Sequence, residues 1–246
     1  AKVVLCDSQF MPPLNEALEK MTGPKPIVIE CPDDQAGAHA QSEHTTYEDL
    51  LAKGDPNFDW IMPQDEWESI ALNYTSGTTG RPKGVVYHHR GAHQNGMGQI
   101  LSWQMTHYPR YLTIVPLFHC NGWCHTWMIP LLGGTVVCCR DITAPALFAA
   151  FAEEGVTHFG GAPIVLNMLV NAPDTEKRTF PQTVEVFTAG APPAPATLAK
   201  IEPMGFNVTQ VYGLTEVYGP ATECTWDEDI WGTLQGDDRA AIKARI

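Results

Sequence analysis

The sequence predicts an α/β fold in which mostly parallel sheets are covered by helices. Short apolar runs alternate with helical patterns through almost the whole chain, an order typical of buried parallel strands joined by helices. Two of the helical patterns are closed by glycines, Gly54 and Gly155. The chain shows no internal repeat.

The predicted elements follow one another closely. Strands are predicted at 2–6, 26–30, 70–74, 84–88, 111–115, 135–139, 184–189 and 207–212. Helical patterns lie at 13–21, 45–54, 144–155 and 237–246. Thr45 stands three residues before Glu48, which predicts a capping box. The polar stretches 31–44 and 171–183 are predicted to be surface loops.

Composition excludes several classes of protein. Hydrophobic residues make up 44% of the chain and charged residues 17%, which indicates a globular, soluble protein. The net charge of −13 argues against binding to nucleic acid or to an anionic membrane surface, since both need clustered Lys and Arg. An anionic ligand would therefore need local N–H donors and a metal ion to overcome the field of the whole chain.

Cysteine usage indicates a reducing compartment. The chain has 7 cysteines, an odd number, and it has no C-x-x-C pair. The longest apolar region, 127–139, is interrupted by Pro130 and by two glycines and is too short to span a bilayer. With no signal peptide apparent, we expect a cytoplasmic location.

The strongest chemical signal is the glycine-rich stretch YTSGTTGRPKG at 74–84. Glycine lets successive backbone N–H groups converge on an anion, the hydroxyls add donors, and Lys83 adds a positive charge. The stretch is not the common P-loop, because Pro82 precedes the lysine and a strand rather than a helix is predicted after it. The alternative is a flexible surface turn, but the placed lysine and proline favour phosphate binding.

This stretch resembles the signature loop of the adenylate-forming superfamily, which includes the acyl-CoA synthetases. The resemblance implies that ATP phosphates contact Thr75, Ser76, Gly77, Thr78, Thr79, Gly80 and Lys83. A second segment, TAGAPPAP at 188–195, resembles the one that lies along the adenine, here at Gly190, Ala191 and Pro192.

A third segment, QVYGLTE at 210–216, resembles another part of the same site. The resemblance implies that Tyr212 packs on the adenine beside Gly213, that Thr215 contacts the α-phosphate, and that Glu216 helps to hold Mg²⁺. The alternative is a core tyrosine at the end of a strand, followed by a helix capped by Thr215.

The segment FHCNGWCHTW at 118–127 admits two interpretations. His119, Cys120, Cys124 and His125 are zinc-type ligands, although four ligands within eight residues are poorly placed to converge on one ion. The segment also resembles the part of the acyl-CoA synthetases that lines the acyl pocket, which implies that His119 and Trp123 border the acid. HFGGAP at 158–163 resembles the opposite wall of that pocket, with Gly161 in it.

The resemblance implies a two-step reaction. A carboxylic acid attacks ATP to give an acyl-adenylate and pyrophosphate, and CoA then displaces AMP to form a thioester. Mg²⁺ is the implied metal, and the implied partners are the acid, ATP and CoA, with a homodimer left open. The catalytic set implied is Thr215, Glu216, Lys83 and His119. The pocket segments most resemble short- to medium-chain or aryl acyl-CoA synthetases, including those acting on 3-methylmercaptopropionate.

The same resemblance assigns residues 1–246 to part of an AMP-binding domain. We expect the first N-terminal segment and the C-terminal domain of the family to be absent from this chain, which alone would be incomplete for catalysis. The alternatives are a non-catalytic nucleotide-binding fragment, a zinc module and a peptide-synthetase adenylation domain.

A cluster of basic residues follows the strand predicted at 84–88. His88, His89 and His93 with Arg90 are interpreted as the solvated start of a helix rather than as a catalytic cluster.

Overall fold

The computed structural model describes residues 1–33, 44–75 and 80–245. The chain divides into two compact units, 1–62 and 63–246. The smaller unit contains a three-stranded parallel sheet, and its elements are β1 (Val3–Asp7), α1 (Met11–Lys20), β2 (Ile27–Cys31), β3 (Thr45–Thr46) and α2 (Tyr47–Leu51).

Two expectations for this unit need correction. Helix α2 begins at Tyr47, and Thr46 rather than Thr45 is its N-cap, because the Thr46 hydroxyl accepts the Asp49 N–H at 3.2 Å. Thr45 instead pairs with β2 as part of the short strand β3. Most of the loop predicted at 31–44 lies outside the described residues.

The larger unit contains a six-stranded sheet and a two-stranded hairpin. The hairpin strands are β4 (Ser69–Thr75) and β5 (Lys83–His88). The six-stranded sheet has the order β11-β10-β9-β8-β6-β7. Its strands are β6 (Arg110–Thr113), β7 (Thr135–Cys138), β8 (His158–Gly161), β9 (Val184–Thr188), β10 (Phe206–Leu214) and β11 (Gly219–Glu223). Only β11 runs antiparallel to its neighbour in this sheet.

Helices cover both faces of the six-stranded sheet. The longer helical elements of the unit are α3 (His89–Ser102), α5 (His125–Leu131), α6 (Ala144–Glu153), α7 (Pro163–Asn171), α8 (Pro195–Ile201) and α10 (Gly236–Lys243). Two shorter ones are α4 (Cys120–Trp123) and α9 (Glu228–Trp231). The predicted α/β class is confirmed, and all eight predicted strands are present with their ends moved by one or two residues.

Side chains alternate between two cores on the two faces of the sheet. In β6, Leu112 belongs to an apolar core built with α6, α7 and α8, whereas Tyr111 faces a second core built with α3 and α5. In β9, Val186 and Phe187 divide in the same way. The sheet is therefore buried on both faces, and its strand ends are the places where functional residues reach solvent.

Candidate active site

The segments singled out in the sequence follow the carboxyl ends of neighbouring parallel strands. Residues 116–123 follow β6, 162–163 follow β8, 189–192 follow β9, and 215–216 follow β10. Because these strands are parallel, their carboxyl ends meet at one edge of the sheet. Ligands of open α/β sheets bind outside this edge, so the fold favours a single site here.

The phosphate-loop candidate lies at the turn of the β4–β5 hairpin. Thr75 and Lys83 are paired across the two strands at the point where the loop begins and ends. Lys83 is exposed, and Gly80 has a φ of 106°, a conformation that L side chains rarely adopt. Residues 76–79, which carry most of the predicted phosphate contacts, lie outside the described residues. The strand predicted after the loop is confirmed as β5.

Two tyrosines join this hairpin to the Thr215 segment. Tyr87 of β5 is fully buried, and its hydroxyl donates to the Thr215 carbonyl at 2.5 Å. Burial, with Cys120 and Cys124 nearby, raises the pKa of the Tyr87 phenol, which keeps it protonated as a donor. Tyr218 stacks on Tyr87 with ring centroids 4.1 Å apart.

Gly91 makes room for Tyr218. The Tyr218 hydroxyl accepts the His88 N–H at 3.2 Å, and a Cβ at Gly91 would lie 2.3 Å from that hydroxyl oxygen. Tyr87, Gly91 and Tyr218 could not be singled out from the sequence, because an ordinary strand and helix start would contain the same residue types.

Thr215 and Glu216 lie in a short 3-10 turn directly after β10. The Thr215 hydroxyl does not cap a helix; the thiol of Cys120 donates to it over 3.9 Å. Glu216 is exposed, so its carboxylate is free to meet a solvated cation. A carboxylate oxygen is a ligand that Mg²⁺ prefers, so Glu216 could hold such an ion.

The adenine-site candidates lie on the adjacent ends of β9 and β10. Thr188 pairs with Gln210, so the 189–192 segment and Tyr212 leave the sheet side by side. Gly190 is exposed with a φ of 90°, and the Tyr212 side chain is 62% exposed. An exposed aromatic ring beside an open backbone can accept a flat base on its face.

Gly213 has a structural requirement of its own. A Cβ there would lie 1.7 Å from the Gly219 carbonyl oxygen of β11, so only glycine permits this close approach. The structure explains Gly213 by strand packing without needing a ligand.

The segment after β6 forms an unusual left-handed turn. Cys120, Asn121, Gly122, Trp123 and Cys124 all have φ values between 48° and 68°. The segment is therefore a tight left-handed turn and not an extended chain. Left-handed backbone costs non-glycine residues of the order of 1–3 kcal/mol each and persists only where surrounding contacts hold it.

Trp123 and Gly160 form one contact between the two predicted pocket walls. The indole of Trp123 lies over β8, and a Cβ at Gly160 would be 3.0 Å from its Cζ3 atom. A Cβ at Gly161, the predicted pocket residue, would meet only ordinary van der Waals distances of 3.6 Å to apolar side chains. The structure thus brings Gly160, rather than Gly161, against Trp123. His119 is exposed immediately before the turn.

The zinc interpretation of this segment is not supported. Cys124 is fully buried, its thiol donates to the Tyr218 carbonyl at 3.2 Å, and burial raises its pKa to about 12. Both ring nitrogens of His125 are already hydrogen-bonded to buried side chains. Within the part of the chain that the structure describes, no three His, Cys, Asp or Glu residues are grouped to hold a metal ion.

The histidines after β5 do begin a helix. The imidazole Nδ1 of His88 accepts the Gly91 N–H at 2.9 Å, so His88 is the N-cap of α3. His89 and Arg90 occupy its first turn, in agreement with the interpretation of this cluster as a helix start.

Comparison with known proteins establishes the class. Residues 1–241 match the AMP-binding enzyme family, and the chain belongs to that family. It is 41% identical over 257 residues to the peroxisomal acetate/butyrate–CoA ligase AAE7 of Arabidopsis thaliana, covering 100% of this chain and 45% of the relative. It is 42% identical over 257 residues to acetate–CoA ligase CCL3 of Humulus lupulus, again covering 100% of this chain and 45% of the relative.

Solved structures agree on the fold. The N-terminal domain of FACL13 from Mycobacterium tuberculosis superposes with a TM-score of 0.77 at 22% identity, over 94% of this chain and 55% of that one. An o-succinylbenzoate CoA synthetase from Bacillus subtilis, in complex with ATP and magnesium ion, gives a TM-score of 0.64 at 21% identity, over 80% of this chain and 42% of that one. The relatives therefore lie in the acyl-CoA ligase branch, and this chain spans less than half the length of the curated relatives described above.

The expected cytoplasmic location is contradicted. AAE7 and the probable acyl-activating enzyme 5 of Arabidopsis thaliana are both peroxisomal, and each is more than 40% identical to this chain. The expectation rested on a globular composition and on cysteine usage typical of a reducing compartment. Neither property distinguishes the cytoplasm from the peroxisome. Among the described residues, no helix is long and apolar enough to cross a membrane.

Proposed function

We propose that the protein containing this chain is an AMP-forming acyl-CoA synthetase that acts on a small carboxylic acid. The acid carboxylate attacks the α-phosphorus of ATP, pyrophosphate leaves, and the CoA thiol then displaces AMP from the acyl-adenylate. The observation that carries the proposal is the convergence of the four matched segments at one sheet edge, beside a hairpin tied to Thr215 through the Tyr87 hydroxyl.

The first step brings two anions together, so the site must supply positive potential and fixed geometry. Lys83 and the glycine and hydroxyl residues of the matched segment 75–80 are suited by their chemistry to the β- and γ-phosphates, and the Thr215 hydroxyl to the α-phosphate. Mg²⁺, held by Glu216, would neutralise charge on the phosphates when bound. Positioning two reactants in line is worth about 7–11 kcal/mol, and no side-chain nucleophile is required.

The proposed adenine site uses the open ends of β9 and β10. Tyr212 offers an aromatic face, and the backbone from Gly190 to Pro192 offers edge contacts. The exposed Tyr212 ring and the exposed backbone at Gly190 leave room for a base between them and solvent.

The activity is tested by pyrophosphate release from the full-length protein with ATP, Mg²⁺, CoA and a panel of carboxylic acids of two to eight carbons. We expect acid-dependent release with a preference at the short end of the panel. Release that is absent with every acid would rule out the ligase assignment.

A small acid is proposed because Trp123 closes the space over β8. Its indole lies within contact distance of Gly160, where it occupies space that a longer acyl chain would need. Two of the matched relatives are named for acetate, and one of these for butyrate as well.

Trp123→Ala tests this assignment of acid size. Removing the indole should improve kcat/KM for acids longer than the preferred one by about tenfold or more, since each methylene accommodated contributes on that scale. An unchanged chain-length profile in an active Trp123→Ala enzyme would contradict the proposed role of Trp123.

A further inference from the structure

Four hydrogen bonds connect Gly160 of β8 to Trp123 of α4 through three buried side chains. The Gly160 N–H donates to the Tyr111 hydroxyl oxygen at 3.3 Å, and that hydroxyl is hydrogen-bonded to His125 Nδ1. The other ring nitrogen, Nε2, is 2.9 Å from Gln99 Oε1. The Gln99 amide nitrogen then donates to the Trp123 carbonyl at 2.8 Å. Tyr111, His125 and Gln99 are each at most 4% exposed.

The direction of every bond in this series is fixed. Gln99 Nε2 also donates to Asn95 Oδ1 at 2.6 Å, so both of its protons are used and its Oε1 is the acceptor. His125 Nε2 must therefore carry the ring proton, which leaves Nδ1 to accept the proton of the Tyr111 hydroxyl. One tautomer of one neutral imidazole satisfies the whole network.

The surroundings keep this imidazole neutral. Burial, with His158 nearby, lowers the pKa of His125 to about 3. A protonated ring would lose its acceptor atom and break the bond to Tyr111. Near neutral pH the network is therefore complete.

Both ends of the series meet at one contact, because the Trp123 indole lies directly over Gly160. The carbonyl of Trp123 is held at one end and the N–H of Gly160 at the other. The series therefore fixes the height of the indole above β8, which is the dimension that limits the depth of the proposed acyl pocket.

The turn that carries Trp123 needs such support. Its five consecutive left-handed residues include four that are not glycine. Conformations of this kind persist only when surrounding contacts determine them, so loss of the Gln99 bond would let the turn relax and the indole move.

We propose that Gln99, His125 and Tyr111 are positioning residues that set which acids the enzyme accepts, by holding Trp123 over Gly160. This inference rests on the proposed function, since it assigns the residues behind the wall of that pocket. None of the three needs to touch the acid.

The test is His125→Phe in the full-length protein. Phenylalanine keeps a ring of similar size but forms neither hydrogen bond. kcat and KM are measured for the preferred acid and for an acid two carbons longer. We expect the selectivity ratio of the two kcat/KM values to fall about tenfold, mainly through KM for the acids. The KM for ATP should change less than the KM for the acids, because none of the four hydrogen bonds of the series is made to Lys83, Thr215 or Glu216.

Thr197→Val is the matched control. The Thr197 hydroxyl is a buried donor to Asn167 Oδ1 at 2.6 Å, and it lies on the opposite face of the sheet. Its loss should lower thermal stability but leave the selectivity ratio unchanged. An equal fall of the ratio in Thr197→Val would overturn the proposal, because general destabilisation would then account for the effect.

A double variant tests whether the effect acts through the indole. In a Trp123→Ala background, His125→Phe should cause no further change of the selectivity ratio, since the positioned group is gone. A full tenfold effect in that background would overturn the proposal.

Two further variants test the proposal if His125→Phe does not fold. Tyr111→Phe removes a single hydroxyl. Gln99→Glu keeps the acceptor for His125 but cannot donate to the Trp123 carbonyl. Each should shift the ratio in the same direction, and an unchanged ratio in both would overturn the proposal. Wild-type protein inactive with every acid would instead disprove the proposed function, so the two failures are distinguishable.

Discussion

The two faces of the six-stranded sheet are built by different physical means. One face is a continuous apolar core, in which Phe151 contacts the rings of Phe148, Phe159, Phe180 and Phe206. The other face places polar groups in the interior, where a hydrogen-bonded series takes the place of much of the apolar packing. Apolar packing tolerates many arrangements of similar volume, whereas a satisfied polar network admits one.

The difference between the two faces indicates where the positions of side chains must be held closely. The apolar face packs α6, α7 and α8 against the sheet, and none of the buried side chains of this core is assigned to the proposed site. The polar face lies behind α4, whose backbone is strained and whose indole borders the proposed pocket. We therefore expect changes on the apolar face to affect stability alone, and changes on the polar face to affect selectivity as well.

The largest expected loss of stability is on the apolar face. Phe151→Ala should lower the free energy of unfolding by about 3–5 kcal/mol, because the fully buried ring leaves a cavity among four others. The measurement is urea denaturation followed by tryptophan fluorescence. The acid selectivity of the folded fraction should not change, and a changed selectivity would show that the two faces are not independent.

Much of this architecture could be predicted from sequence. The eight predicted strands could be recognised because short apolar runs rich in β-branched and aromatic residues are typical of strands. The strands that were missed lack that signal. β8 reads HFGG and contains a single large apolar residue, β11 reads GPATE, and β3 is only two residues long.

The local geometry of the site could not be predicted in the same way. CNGW does not specify five left-handed residues in succession, because only Asn121 and Gly122 readily adopt that conformation. The turn is held by contacts such as that of Gln99, 24 residues away. The adjacent Gly160 and Gly161 are indistinguishable by composition. Their roles differ because β8 directs them to opposite faces of the sheet.

The polar face should respond to acid. The pKa of His125 is lowered to about 3 and that of His158 to about 4, chiefly by burial in both cases. The unfolded chain then binds more protons than the folded one below pH 6.5. The stability contributed by the neutral rings is fully present above that pH and is lost as the pH falls toward 4 and then 3. Each ring contributes a slope of up to about 1.4 kcal/mol per pH unit in this range.

Carboxylates also titrate in this range, so the informative quantity is a difference between proteins. Urea denaturation is compared at pH 7, 5.5 and 4.5 for wild type and His125→Phe. The wild type should lose stability more steeply with falling pH than the variant does. Parallel pH profiles would mean that His125 is not the buried neutral group described here.

The smallest expected change in stability gives the most direct comparison of the two faces, because it uses neighbouring residues of one strand. Gly160→Ala places a methyl group 3.0 Å from the Trp123 ring and 3.1 Å from Val115, so these side chains must shift, at an expected stability cost of about 1–3 kcal/mol. Gly161→Ala places the same methyl group 3.6 Å from Ile114, Phe159 and Val165, where it fits, and its stability should stay within about 0.5 kcal/mol of wild type.

Measuring the acid selectivity of these two variants tests whether the position of the Trp123 indole, and not only its presence, sets the acid size. If the height of the indole over β8 sets the acid size, Gly160→Ala changes the selectivity ratio although it removes no hydrogen bond and no side chain. The Gly160→Ala shift should disappear in a Trp123→Ala background, as the His125→Phe shift should. A shift that persisted there would place the size limit in the strand itself, and the polar network behind the turn would then serve stability only.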